Sequence, residues 1–304
     1  MRGGPVALLP IVLACATLSG CASGSTRPLL FQAHLPGDSE DLYQLDLATG
    51  NVTRLTTGRS SYANSFPTRS PVDDRIAFVR QRRGEADSLF LLVPGGGSAH
   101  PLVIPDLPTL GPPAWSPDGR SILISAGQDA STRRLYIVHT DRSTFSEVPL
   151  PEGMFDCGSY APEGDRIVSS RSAGSRSEVV IIDPSTGILD VAVASDSLAF
   201  HCPEWSWGMA GGIGVTAYSR DYSRARIGVI NPSSGQFEAI AAGPGYNNAL
   251  KWSPDGARVA YQCTDRAPQD GDFFQRMEVC IANRDGSERE QLTRNDYFDA
   301  HPSW

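Results

Sequence analysis

Apolar residues in this chain fall in short β-branched and aromatic runs separated by polar turns that carry glycine and proline. One set of runs is Ile76-Ala77-Phe78, Ile122-Leu123-Ile124, Ile167-Val168, Ile213-Gly214-Val215 and Val259-Ala260-Tyr261. A second set follows in phase at Leu42 to Leu45, Leu89 to Leu92, Leu135 to Val138, Val179 to Ile182, Ile227 to Ile230 and Val279 to Ile281. Runs of this length and composition read as strands, and no amphipathic helical stretch interrupts them.

Ahead of each run of the first set stands an aromatic turn or its remnant. Trp115-Ser116-Pro117-Asp118-Gly119 and Trp252-Ser253-Pro254-Asp255-Gly256 are intact copies. Tyr160-Ala161-Pro162-Glu163-Gly164, Arg69-Ser70-Pro71 and Trp205-Ser206 are worn ones, and Trp304 is in phase with them. The spacing stays near 46 residues, the period of a repeat architecture. Within the motif, proline presets φ for the second position of a type I turn, and glycine accepts the left-handed conformation that closes the hairpin. Turns such as Asp183-Pro184-Ser185-Thr186-Gly187 and Asn231-Pro232-Ser233-Ser234-Gly235 end the third strand, and a weak fourth strand follows, as at Val52 to Thr56. Four strands per unit make one propeller blade.

This repeat resembles the Trp-Ser-Pro-Asp-Gly class found in TolB-like propellers and in the non-catalytic propellers of some prolyl-oligopeptidase-type enzymes. The resemblance covers nearly all of residues 29–304. It implies an all-β fold, a six-bladed β-propeller of four-stranded blades. Leu29-Leu30-Phe31 matches the second strand of a blade, so the C-terminal segment His301 to Trp304 is expected to supply the inner strand and close the ring. TolB-like proteins carry an α/β domain ahead of the propeller for which this sequence shows no counterpart, so their role in the Tol system is not carried over.

Residues 1–20 have the pattern of a signal peptide, with one cation at Arg2 and an apolar run from Val6 to Ala14. Leu18-Ser19-Gly20-Cys21 resembles the bacterial lipobox, which implies a lipoprotein signal peptide, acylation of Cys21 and a short tether over residues 21–28. The expected localisation is the cell envelope, lipid-anchored and facing the periplasm. Ala22 after the cysteine favours the outer membrane. Removing residues 1–20 takes away Arg2 alone and leaves 25 basic against 34 acidic side chains, which argues against nucleic acid as a partner. A monomer is expected. Lys251 is the sole lysine, which reads as codon bias.

Four cysteines remain after Cys15 and Cys21. Cys157 and Cys202 stand three residues before Tyr160 and Trp205, at equivalent inner-strand positions of neighbouring blades, and Cys263 and Cys280 fall on adjacent strands of one blade. The expected disulfide candidates are Cys157 with Cys202 and Cys263 with Cys280; four free buried thiols are the alternative.

The hairpin loops between second and third strands share one face with the starts of the inner strands. Arginines recur in them, chiefly Arg82, Arg83, Arg133 and Arg134, with Arg171, Arg176, Arg220, Arg224, Arg226 and Arg266. Such a set can hold carboxylates or an anionic envelope polymer, or be solvated charge balanced by Glu85, Asp87, Asp221, Asp270 and Asp272. At the channel mouth, Ser65, Asp156, His201, Asn247, Asn248, Asp299 and His301 are the candidates, and His201, His301 and Asp156 could bind a metal or act as acid and base if they converged. No Gly-x-Ser-x-Gly elbow, Cys-x-x-Cys zinc spacing or phosphate-cradling loop occurs. The expected function is a lipid-anchored scaffold that binds an envelope protein or polymer. No enzyme activity, cofactor or metal is expected. The alternative is a polysaccharide-acting or metal-dependent enzyme with its site at the channel mouth.

Overall fold

The computed structural model describes residues 27–34, 40–57, 62–95, 98–102, 104, 106–141, 144–208, 212–240, 245–264, 277–295 and 297–304. Cys21 and Arg266 lie outside the described residues, as do residues 1–26 with the expected signal peptide and most of the tether.

Six antiparallel sheets succeed one another in chain order. The first joins the two ends of the described chain: β1 (Leu29–His34), β2 (Glu40–Leu45) and β3 (Val52–Arg54) are completed on their inner side by the last strand, Phe298–Ser303. The second sheet runs from β4 (Tyr62–Arg69) through β5 (Ile76–Arg82) and β6 (Ser88–Leu92) to β7 (His100–Pro101). In the third the inner strand is split into β8 (Thr109–Leu110) and β9 (Ala114–Trp115), followed by β10 (Ser121–Gly127), β11 (Arg134–His139) and β12 (Thr144–Glu147). The fourth and fifth consist of β13 (Met154–Tyr160), β14 (Ile167–Ala173), β15 (Arg176–Ile182) and β16 (Leu189–Ser195), then β17 (Leu198–Trp205), β18 (Ile213–Ser219), β19 (Ala225–Ile230) and β20 (Phe237–Ala239). The sixth contains β21 (Tyr246–Trp252), β22 (Arg258–Thr264), β23 (Glu278–Asn283) and β24 (Glu290–Gln291), and Phe298–Ser303 is β25. The chain is an all-β, six-bladed propeller of TolB-like fold.

The core is divided among the seams between blades. Leu30 and Leu42 of the first blade pack with Ile76 and Phe78 of the second. Val168 and Val179 of the fourth meet Phe200, Ile213 and Val215 of the fifth. The sixth blade gives Ala260, Val279 and Ile281 to the first, where Trp304 joins Leu29 and Phe31. Middle strands therefore bury both faces, which is why Leu29, Leu30 and Phe31 are all apolar without alternation.

Two of the repeated tryptophans tie their inner strand to the blade before it by an indole hydrogen bond. Trp115 Nε1 donates to the Thr68 carbonyl and Trp252 Nε1 to that of Glu204, both at 3.1 Å. Behind them the turn closes as its sequence dictates: Ser116 and Ser253 donate to Asp118 and Asp255, while Gly119 and Gly256 hold φ of 67°.

The closing strand carries a polar defect. Glu278 on β23 and Asp299 on β25 are both buried, and the segment between their strands bridges them. Thr293 Oγ1 donates to Glu278 at 2.5 Å, the Asn295 amide to Glu278 at 2.9 Å and Asn295 Nδ2 to Asp299 at 2.7 Å. At the matching position of the first blade, Asp41 receives Thr56 and Asn64 and pairs with Arg54. Asp299 thus stands where Asn64 stands there, five residues before the end of its aromatic register. Burial, outweighing the hydrogen bonds it receives, pushes Glu278 up to about 7 and Asp299 up to about 6.

Two outcomes follow. Removing residues 298–304 should abolish the single cooperative thermal transition, because the first and last blades then expose a sheet edge and an apolar seam; a truncated chain that melts like the parent would contradict closure by β25. The two raised carboxyl pKa values mean that the folded state holds protons the unfolded chain has released, so stability falls as pH rises from about 4 to about 7 and stays low above. Asp299→Asn should raise the melting temperature by a few degrees at about pH 8 and by little at about pH 4, and an equal gain at both would remove the carboxyl from the account.

Candidate functional site

Three residues before the end of the aromatic register, the inner strands leave regular geometry. Phe66, Cys157, Cys202, Ala249 and His301 have φ of 57°, 26°, 47°, 52° and 47°, and in each of these five strands the pairing slips at or beside that residue. These are β-bulges in a conformation that residues other than glycine rarely adopt. The third blade has Pro112 at this point. Its ring cannot reach positive φ, and there the inner strand breaks into β8 and β9. The bulges were missed in the sequence, yet a signal is present: Pro67, Pro113, Pro203 and Pro302 all stand two residues before the aromatic position. A proline supplies no ladder donor and marks a bulge or an edge.

The bulges turn side chains into the central channel, where a cavity of about 220 Å³ is lined by them and by Arg133, Asp156, His201, Asn248, Lys251 and Gln262, among others. Cys157 and Cys202 are joined by a disulfide across the channel wall between the fourth and fifth blades. Cys263 and Cys280 are joined within the sixth.

Every full charge on this wall has a partner. Arg133 Nη1 donates to Asp156 at 2.9 Å and Nη2 to the Leu110 carbonyl, bracing the broken strand. Ser125 also donates to Asp156. Lys251 Nζ lies 2.7 Å from Glu204. The sole lysine, read in the sequence as a compositional accident, therefore sits in the channel. His201 and His301 line the same cavity. Burial lowers the pKa of His201 against the pull of Asp156, and burial with the nearby Lys251 charge takes His301 down to about 3. Both imidazoles are neutral at neutral pH. His301 also stacks edge-on against Phe66 at 4.4 Å. Of the other mouth candidates, Ser65, Asn247 and Asp299 are buried and do not line the cavity. Among the described residues no three His, Cys, Asp or Glu side chains form a group that could hold a metal ion.

The loop arginines are mostly spent on the fold. Arg134 donates to the carbonyls of Leu150, Pro151 and Gly153, pairs with Glu147 and covers the Phe155 ring. Arg171 pairs with Glu178, Arg176 with Asp196, and Arg220 donates to the Ser195 and Asp196 carbonyls. Arg82 pairs with Glu85 and lies over Tyr62, yet both it and Arg83 remain exposed. Position in a loop was legible; the direction of each guanidinium was not.

No protein-family profile matches the chain. Among solved structures, TolB from Acinetobacter baumannii superposes with a TM-score of 0.75 at 16% identity, over 92% of this chain and 67% of that one. An oligogalacturonate lyase from Vibrio parahaemolyticus superposes with a TM-score of 0.57 at 12% identity, over 88% of this chain and 74% of that one. These likenesses show the fold, a TolB-like six-bladed propeller. In sequence, an 88-residue stretch is 32% identical to "Uncharacterized peptidase YuxL" of Bacillus subtilis (strain 168), a match over 29% of this chain and 13% of that relative's length.

The channel pair gives a direct test. Arg133→Ala should cost on the order of 2 kcal/mol, below the roughly 3–5 kcal/mol of a fully buried pair, because it strands the Asp156 carboxylate. The double variant Arg133→Ala/Asp156→Ala should recover part of that loss in urea denaturation. A double variant whose loss equals the sum of the two single losses would show that the residues are uncoupled.

Proposed function

We propose that this chain is a cell-envelope propeller that binds a macromolecular partner on the face where its inner strands begin. The observation that carries this reading is the difference between the two faces. One face consists of tight turns closed by their own Ser, Asp and Asn side chains. The other gathers the hairpin loops, of which those at Asp129 and Asp221 close in the same way, and adds the exposed Arg82 and Arg83. Loops on a rigid scaffold are where binding surfaces are usually built.

The start of the chain supports an orientation. Arg27 donates to the Ser70 and Pro71 carbonyls, on the tight-turn face. Acylation at Cys21, six residues earlier, would hold that face toward the membrane and present the loop face to the periplasm, with the outer membrane as the expected site of anchorage. The partner is an envelope protein or an anionic envelope polymer. Pairing of most loop arginines with the protein itself favours a protein surface over a polyanion, since few guanidinium groups stay available.

The enzyme reading rests on His201, His301 and Asp156 sharing one cavity. Asp156 Oδ1 accepts from Arg133, Ser125 and the Cys157 amide, so the carboxylate is already committed to holding the channel wall. Binding is the better supported function.

The decisive experiment is affinity capture from envelope extract by the acylated protein in detergent, set against Arg82→Ala/Arg83→Ala. A protein retained by the parent and released by the variant is the expected result. Equal retention by both would move the interface off these loops, and capture of nothing by either would overturn the scaffold reading.

A further inference from the structure

An exposed aromatic side chain in left-handed conformation stands beside the channel cavity. Tyr222, in the turn from β18 to β19, has φ of 55° and is 49% exposed. A bulky residue in left-handed conformation is uncommon and is held only where its surroundings over-determine it. Here Asp221 does so, accepting from Ser219 Oγ, Ser223 Oγ and the Ser223 amide, while the Tyr222 amide donates to the Ser219 carbonyl. The turn is built to display the ring.

The Tyr222 ring lies over an aromatic wall that descends into the cavity. Its centroid is 5.4 Å from that of Tyr218 and 6.0 Å from that of His201, and its Oη lies 3.4 Å from His201 Nε2. Tyr218 and His201 line the cavity and meet edge to face at 5.0 Å. Asn248, below them and 8% exposed, donates Nδ2 to Tyr218 Oη at 3.2 Å and lines the same cavity with Gln262.

The chemistry of that partner follows from the walls. Arg133 and Lys251 are neutralised by Asp156 and Glu204, and both histidines are uncharged, so a charged ligand would lose its hydration with no counter-ion to meet it. A purely apolar ligand would leave the polar side chains of the wall, Gln262 among them, without partners. At about 220 Å³ the cavity is smaller than the roughly 300–1,000 Å³ of drug-sized sites, and so admits one ring. An uncharged sugar meets all of these terms: its hydroxyls supply donors and acceptors, and its C–H face packs on an aromatic ring.

We propose that the channel mouth beside Tyr222 binds a single uncharged pyranose, with Tyr222 and Tyr218 packing on its C–H face and the polar side chains of the cavity wall meeting its hydroxyls. This site goes beyond the macromolecular interface proposed above and does not depend on it. The sugar comes either free or as an exposed ring of a neutral glycan.

Calorimetric titration of the purified protein with the methyl glycosides of glucose, galactose, mannose and N-acetylglucosamine tests the site, beside glucuronate and galacturonate and a neutral glycan chain. Saturable binding of at least one neutral glycoside, and none of the uronates, is expected. Binding of the glycoside together with the chain assigns the source to a glycan, and binding of the glycoside alone assigns it to a free sugar. Tyr222→Ala should weaken binding about tenfold with an unchanged melting temperature, and Tyr222→Phe should bind like the parent. Three results would overturn the proposal: no neutral glycoside bound, uronates bound as tightly, or full binding by a Tyr222→Ala protein that melts normally. Because the titration reads the cavity alone, its failure leaves the capture experiment with Arg82 and Arg83 untouched, and the reverse holds equally.

Discussion

Everything in this molecule depends on the fact that a blade is apolar on both faces. Leu29 and Phe31 pack toward the sixth blade while Leu30 packs toward the second, so the first blade has no water-compatible side. A stack of such sheets reaches a low-energy end only by returning on itself. Closure is therefore the condition under which the six seams are covered at once, and β25 supplies it by pairing with β1. At three of the six register ends a tryptophan then works as a bolt. Trp115 and Trp252 hydrogen-bond backward into the previous blade, Trp304 fills the last seam, and Arg75, Arg284 and Arg258 lie over the three rings.

Convergence of the inner strands on one axis brings a second constraint. Regular pleating would send alternate side chains into a space too narrow for them, and the bulges at Phe66, Cys157, Cys202, Ala249 and His301 turn the strands aside instead. Each costs backbone energy, about 1–3 kcal/mol for a residue in left-handed conformation. The cost is met by neighbouring contacts: the Cys157–Cys202 disulfide joins two bulges, and Phe66 and His301 stack across the joint where the ends of the chain meet. The third blade cannot bulge at Pro112, and its gap is braced by Arg133 reaching the Leu110 carbonyl. That guanidinium also sets the charge of the channel wall through Asp156.

The fold was legible because turns and seams are local facts repeated many times. Pro-Asp-Gly at residues 117–119 and 254–256 has one comfortable backbone path, and Leu29-Leu30-Phe31 declares a strand covered on both sides. The site was less legible because it is made where six blades converge, and no single repeat contains it. Arg134 and Arg83 look alike in sequence, but one is drawn down onto three carbonyls and the other stays exposed. Lys251 meets Glu204 of the preceding blade; the period sets both one residue before their tryptophans, but not that their side chains meet. His201 and His301 were placed at the mouth by phase alone, while their neutral state comes from burial among Tyr218, Tyr222 and Phe66.

Titration is separated in space as a result. In the channel, the ordinary histidine range near pH 6.5 is vacated, since burial drives both imidazoles downward. Burial thus favours the uncharged form of both imidazoles at neutral pH, whatever the formal −8 of the whole chain does to its outer field. The groups that do change in that range are Glu278 and Asp299, which lie in the seam of closure and away from the cavity lining. A shift of pH within that range acts on how firmly the ring is shut, through carboxyl groups buried where the last blade meets the first.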